Sequence, residues 1–261
     1  MPLDRVHCEV KPDDLVPLGE CVACAEGATP RNGRRCAFTG AVLRAMYSGD
    51  EARKGAGISA SGLTGCLRQT ALKQLYTYAG RPNKMWPALR GSLFHLLPER
   101  HHAPHLICEM RFSKPYNGHG WLITGQMDEV DPERQLLVDY KTVDRFPNPR
   151  DVRLGGYKES WVLQTNVYRW LLDGGTRLDS GETVRVPIKT IGIVAFGMME
   201  VRKYAVPVLP DDYVASFVHD QATEIQAALD GGPWPARKYN PDTNKLCLSW
   251  CEVRDRCLER A

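Results

Sequence analysis

The chain lacks any long hydrophobic run. None of its apolar stretches approaches the ~18–20 residues that a helical membrane span needs, so no integral membrane protein is expected. Its first ten residues, Met1 to Val10, lack the apolar centre of a signal peptide, and the expectation is an unsecreted, cytoplasmic protein. It also lacks a strong excess of either charge. With 34 Lys and Arg against 31 Asp and Glu the net charge is +3, too small by itself to establish a nucleic-acid partner. Internal repeats and low-complexity tracts are absent too. Cysteine is not scarce: there are nine, an odd number that in an unsecreted chain points to metal ligation ahead of a disulfide scaffold. Hydrophobic residues at 43% and charged residues at 25% allow a sizeable core, and 261 residues amount to one large domain or two small ones.

The cysteines divide the chain. Cys8, Cys21, Cys24 and Cys36 fall in a stretch rich in Gly, Pro and charge that ends near Gly57 and shows little periodicity. Such a segment buries too little to fold unaided, so residues 1–57 are expected to form a small cysteine-rich, zinc-binding element, with residues 58–261 as the main domain. Cys21-x2-Cys24 lets two sulphurs chelate one ion from a tight turn; Cys36 adds a third, and either Cys8 or the adjacent His7 a fourth. Arg31, Arg34 and Arg35 inside this loop tilt its role toward nucleic acid or a protein partner.

Along the main domain the apolar spacing predicts a helix over 59–78, a second over 86–99, strands over 106–112, 121–130 and 135–143, and a helix over 157–172 capped at Gly174-Gly175. Strands over 184–196 and 198–208 and a helix over 212–229 complete a mixed α/β chain. Turn signals at Asn117-Gly118 and Asp131-Pro132 separate the central strands.

Asp139 and Lys141, two apart on one strand, share a face, and a hairpin turning at Asp131-Pro132 brings Asp128 beside Asp139. Two carboxylates so close repel unless a divalent cation lies between them. That cation lowers the pKa of a bound water and polarises a phosphoryl oxygen, and a neighbouring lysine orients the water or neutralises developing charge. The residue types and their spacing therefore suit metal-assisted phosphodiester hydrolysis.

Gly125-x2-Asp128 followed by Asp139-x-Lys141 resembles the second and third motifs of the PD-(D/E)xK nuclease superfamily, in its RecB-like branch. Gly91-Ser-Leu-Phe-His95 resembles that branch's Gly-x3-His motif, and Gln164-x3-Tyr168 its motif on the helix after the catalytic strand. The resemblance covers about residues 59–261. It implies a restriction-endonuclease-like fold, a mixed central sheet flanked by helices. It further implies that His95, Asp128, Asp139 and the carbonyl of Tyr140 hold Mg²⁺ or Mn²⁺, that Lys141 positions the attacking water, and that Gln164 and Tyr168 orient the lysine or the DNA.

Cys66 far upstream and Cys247-x3-Cys251-x5-Cys257 at the end resemble the split ligand set of iron–sulfur nucleases in the same branch, including AddB-type domains and the CRISPR adaptation exonuclease. The resemblance implies a 4Fe-4S cluster tying the ends of the domain together. The usual first gap there is two residues and here it is three, and zinc on the same thiolates is the alternative.

Six cations against a single acid, Glu99, lie between residues 61 and 105, and a second basic run follows the catalytic strand. Arg68, Arg90, Arg145 and Arg153, with interleaved Tyr76, Tyr78, Trp86, Phe146, Tyr157 and Trp161, suit a single-strand channel in which cations hold phosphates and rings stack bases. The expectation is a DNA exonuclease on single-stranded ends, working in recombination or CRISPR spacer acquisition with a possible protein partner there. The alternatives are a catalytically inactive DNA-binding adaptor on the same fold and a sequence-specific endonuclease.

Overall fold

Alternating apolar residues in the middle of the chain require a surface to cover, and a central sheet forms from them. The computed structural model describes residues 5–27, 30–31, 33–34, 36–51, 57–116 and 122–259. Arg35, the Asn117-Gly118 turn and Trp121 lie outside the described residues. Strands β1 (Arg5–His7) and β2 (Leu15–Pro17) and helices α1 (Leu18–Glu26) and α2 (Gly40–Glu51) come first. Next are β3 (Gly57–Ser59), α3 (Ala60–Thr64), α4 (Leu67–Leu75), β4 (Ala79–Gly80) and the long α5 (Pro82–His101). Strands β5 (Ile107–Pro115), β6 (Leu122–Asp131) and β7 (Leu136–Thr142) lead to α6 (Glu159–Leu172). The chain then forms β8 (Asp173–Arg177), β9 (Thr183–Arg185), β10 (Thr190–Phe196), β11 (Val201–Val206), α7 (Asp211–Leu229), α8 (Lys245–Trp250) and α9 (Arg254–Glu259).

The main sheet runs β11-β10-β7-β6-β5-β8-β9, with β3 beside β6. β10 is parallel to β7 and β3 to β6, while the other neighbours are antiparallel, so the sheet is mixed. Helix α6 covers one face. Helix α5 lies on the other, where Phe94 stacks on Phe196 with ring centroids 4.9 Å apart. Phe112, Ile123, Met127, Leu137, Leu171 and Ile193 are fully buried between the layers, each contributing about 1.5–3 kcal/mol of transfer free energy. A smaller three-stranded sheet, β2-β1-β4, packs with α1 and α2 around a second core of Val6, Val16, Leu43, Met46 and Tyr47. The mixed α/β architecture with a helix-flanked central sheet agrees with the sequence reading. Among the described residues no helix is long and apolar enough to cross a membrane.

Four local expectations change. The helix expected over 59–78 is two helices, because Gly65 and Cys66 leave helical geometry (ψ −140° and 106°) and Tyr78 lies beyond the second. The strand expected over 184–196 is divided into β9 and β10, since Pro187 has no N–H to give the ladder. Gly174 and Gly175 do not cap the helix: Asp173 is its C-cap and starts β8, and the two glycines lie within that strand, with Gly174 at φ 84°. The aperiodic N-terminal stretch also carries two strands and two helices, and its β1 hydrogen-bonds to β4.

Gly125 has a steric role. A Cβ there would stand 2.8 Å from Leu171 Cδ1 and from the Tyr168 ring, so only glycine lets α6 lie this close to β6. Gly125→Ala is expected to destabilise the chain by about 1–3 kcal/mol in a denaturant titration, the ordinary cost of overpacking.

Candidate active site

The register of the central hairpin builds the site. β6 and β7 pair Glu129 with Val138 and Val130 with Leu137, so the next step sets Asp128 opposite Asp139. At that step Asp128 Oδ2 accepts the Tyr140 backbone N–H at 2.6 Å. Both carboxylates are buried, Asp128 at 5% and Asp139 at 1% exposure. Burial drives the Asp139 carboxyl upward to about 6, the Asp128 carboxylate adds to the rise, and Lys141 opposes it. Lys141 Nζ stands 2.9 Å from Asp139 Oδ2 as an ion pair but outside hydrogen-bonding geometry, since that oxygen has no hydrogen-bond partner. The lysine donates instead to Gln164 Oε1 at 3.0 Å, and Gln164 Nε2 donates to the Tyr168 hydroxyl at 2.6 Å. Gln164 and Tyr168, one turn apart on α6, thus hold the lysine from the sheet face opposite α5. Burial, with the Asp139 and Asp128 carboxylates, raises the Tyr168 phenol and keeps it protonated.

His95 reaches the same place from α5. Its Nδ1 lies 2.9 Å from Glu109 Oε1 and 3.2 Å from Asp128 Oδ1. Burial alone would lower the imidazole pKa; hydrogen bonds to Asp128 and Glu109 outweigh it and push the group up to about 10. His95, Glu109 and Asp128 offer ligand atoms all within 4.8 Å of one another, the one such histidine, cysteine and carboxylate grouping among the described residues. Gly91, one turn before His95, faces Thr142; a Cβ there would make an ordinary contact at 3.5 Å, so steric need does not explain this glycine.

Glu109 is the residue that sequence reasoning missed. It sits in β5 opposite Asp128, where the pairing with β6 lapses between Cys108↔Glu129 and Met110↔Met127. Its φ is 51°, a left-handed backbone that a non-glycine residue adopts at a cost of about 1–2 kcal/mol. Gln126 Nε2 donates to its other carboxylate oxygen, and Arg111 Nε fixes Gln126 by donating to its Oε1 at 2.9 Å. Strain held by a surrounding network is a feature of functional positions.

A cleft of about 1150 Å³ opens beside this centre, lined by His95, Glu109 and Asp128 at one end and by Lys73, Lys84 and Arg111 among its cations. Of the four arginines assigned to DNA from the sequence, Arg145 and Arg153 are exposed. Arg90 is half-buried and pairs with Asp144 at 2.8 Å. Arg68 is 6% exposed: its Nη1 donates to the Pro235 carbonyl at 3.2 Å and its guanidinium lies over the Trp234 ring. Arg68 therefore faces the interior, away from solvent. Arg68→Ala is expected to lower stability by about 1–3 kcal/mol, by leaving a buried carbonyl unpaired, while changing DNA affinity less than twofold at fixed salt. Thermal melts paired with a binding titration check both halves.

Cys66, Cys247, Cys251 and Cys257 line one small cavity, together with Arg68, Arg237, Lys238 and Arg254. The end of the chain is stitched to α3 and α4 around it. Lys238 Nζ donates to the carbonyls of Thr64 and Gly65 at 3.1 Å each, Gln69 Nε2 donates to Glu252, and Lys73 pairs with Glu252 at 3.0 Å.

A mixed sheet with two opposed carboxylates and a lysine at its centre, reached by a histidine from a flanking helix, defines a class of phosphodiester-cleaving folds. The profile of the PD-(D/E)XK nuclease superfamily matches residues 67–258, and the chain belongs to that superfamily. It resembles the crystal structure of SSO0001 with a TM-score of 0.54 and 13% sequence identity, over 84% of this chain and 95% of that one, a likeness of fold. No curated protein matches.

Proposed function

We propose that the chain is a metal-dependent DNA exonuclease acting on single-stranded ends, in recombination or in CRISPR spacer acquisition. The observation that carries this reading is the meeting of Asp128, Asp139 and Lys141 at one point of the sheet, with His95 and Glu109 beside them. The donor set suits Mg²⁺ or Mn²⁺: hard carboxylate oxygens, one imidazole, and a buried Asp139 Oδ2 without a hydrogen bond. His95, Asp128, Asp139 and the carbonyl of Tyr140 would hold the ion, with Glu109 added to that set. The bound cation supplies Lewis acidity and a water of lowered pKa.

The protein's own groups do the rest. Lys141 Nζ donates hydrogen bonds that orient the attacking water and the phosphate oxygen. Gln164 turns its carbonyl to Lys141 and its amide to Tyr168, so the lysine is aimed before substrate arrives. Lys73, Lys84 and Arg111 in the cleft, with exposed Arg145 and Arg153, bind phosphates.

For the C-terminal cavity the reading is a structural 4Fe-4S cluster on Cys66, Cys247, Cys251 and Cys257. Four thiolates around such a centre carry net negative charge, which the four surrounding cations offset, and Arg68 Nε and Nη2, buried without hydrogen-bond partners, are donors free for sulphur. Anaerobically purified protein should then show iron, acid-labile sulfide and charge-transfer absorption; zinc alone would assign the site to a plain structural ion.

The decisive experiment incubates the full chain with end-labelled single strands, duplex and circular DNA, with and without Mn²⁺. Linear single strands should be degraded from an end only with metal, and circles should survive. Binding without cleavage of any substrate would make the chain an adaptor, and cutting of circles as fast as linear strands would make it an endonuclease.

A further inference from the structure

The N-terminal cysteines take no part in the active centre, yet the fold brings the segments that carry them together. Cys21 and Cys24 lie three residues apart on α1, on neighbouring turns. Cys8 follows β1, and its N–H donates to the Asp14 carbonyl at 2.9 Å, closing the hairpin that leads through β2 straight into α1. Cys36 precedes α2, and Phe38 beside it packs on the same small core as Cys21. Cys36, Cys8 and Cys24 all lie within electrostatic range of the Cys21 thiol.

Two more observations bear on this quartet. The Cys24 sulphur accepts the backbone N–H of Arg31 at 3.3 Å, the kind of outer hydrogen bond that orients a metal-bound thiolate. His7, the other candidate for the fourth position, has its Nδ1 on the Pro12 carbonyl at 2.7 Å, which leaves only Nε2 for a metal, whereas the Cys8 sulphur lies within electrostatic range of the Cys21 thiol and completes an all-thiolate set.

We infer that Cys8, Cys21, Cys24 and Cys36 hold one structural Zn²⁺, separate from both the active centre and the C-terminal quartet. A tetrahedron with Zn–S near 2.3 Å sets its sulphurs roughly 3.8 Å apart. No three of these sulphurs lie within 4.8 Å of one another, so rotation of the half-buried side chains completes the site on binding. The element needs such a staple, because among the described residues its core holds five buried hydrophobic side chains. Its position gives the ion a purpose. Glu9, next to Cys8, accepts the Asn83 backbone N–H at 2.9 Å and its side-chain amide as well, and Met85 and Leu89 pack on the element's core. The zinc-tied element thus grips the first turns of α5, the helix that carries His95.

The test is metal stoichiometry of the full chain after passage over a chelating resin. In a Cys247→Ser/Cys251→Ser background, which disables the other quartet, one zinc per chain should remain. Adding Cys21→Ser and Cys24→Ser should remove it and lower the melting temperature by at least 5 °C. Zinc retained after that replacement, zinc absent from the background protein, or iron in its place overturns the inference. Should either variant fail to accumulate, cobalt added to metal-stripped wild-type protein gives the second measurement. Intense thiolate-to-cobalt bands that persist when the C-terminal site is filled support the quartet, and their absence refutes it.

Discussion

Asp139→Asn should abolish Mn²⁺-dependent cleavage, by about 10³-fold or more, while leaving the chain folded and no less stable. Loss of one charged ligand removes several kcal/mol of charge stabilisation from the reacting phosphate, and each ~1.4 kcal/mol is a factor of ten. Stability moves the other way for a separate reason. The carboxylate is 1% exposed, its pKa is raised to about 6 by burial and by Asp128, and one oxygen has no hydrogen bond. Asparagine keeps the shape and removes the buried charge, and Lys141 keeps its bond to Gln164. Lys141→Ala differs: it leaves Asp139 buried without its counter-ion, which costs about 3–5 kcal/mol in comparable pairs, so loss of rate and loss of fold become hard to separate. Cleavage rate and thermal melt measured on the asparagine variant settle the matter, and wild-type cutting by that protein would end the assignment of Asp139 to the active centre.

The part of the site legible in the sequence is the part that local rules determine. A tight turn at Asp131 fixes the hairpin register, and register alone carries Asp128 opposite Asp139. Helical spacing sets Gln164 and Tyr168 on one face, and α6 brings that face to Lys141. Arg68 was legible too, in retrospect. It shares the face of Ala71 and Leu72 at spacings of three and four, so periodicity points it inward even though its charge suggests a surface role. What could not be read is set by contacts distant in sequence. The break at Gly65-Cys66 follows from tertiary packing, with Lys238 reaching across to the carbonyls it frees. Glu109 gives no signal of its own: Cys108, Met110 and Phe112 alternate with Glu109 and Arg111 as in any half-solvated strand, and no glycine or asparagine announces a left-handed backbone.

That backbone yields the second large prediction. Glu109→Gly and Glu109→Ala both remove the carboxylate, and both should cut activity about 10–100-fold and raise the Mn²⁺ concentration needed for half-maximal rate, as loss of a metal ligand or its close support does. Their stabilities should part. Alanine must still adopt φ 51° at Glu109's position, whereas glycine adopts it freely, so the glycine variant should be more stable by about 1 kcal/mol despite its greater unfolded-state entropy. His95 and Gln126 lose the same partner in both proteins, so the difference isolates the backbone. Denaturant titrations of the two variants, read beside their Mn²⁺ dependence, separate the two effects. A Glu109→Gly protein with wild-type metal dependence would make the carboxylate a purely structural partner of His95. The expected pattern instead means that β5 holds a strained residue because the carboxylate must face Asp128, and that the sheet gives up a hydrogen-bonded pair to keep it there.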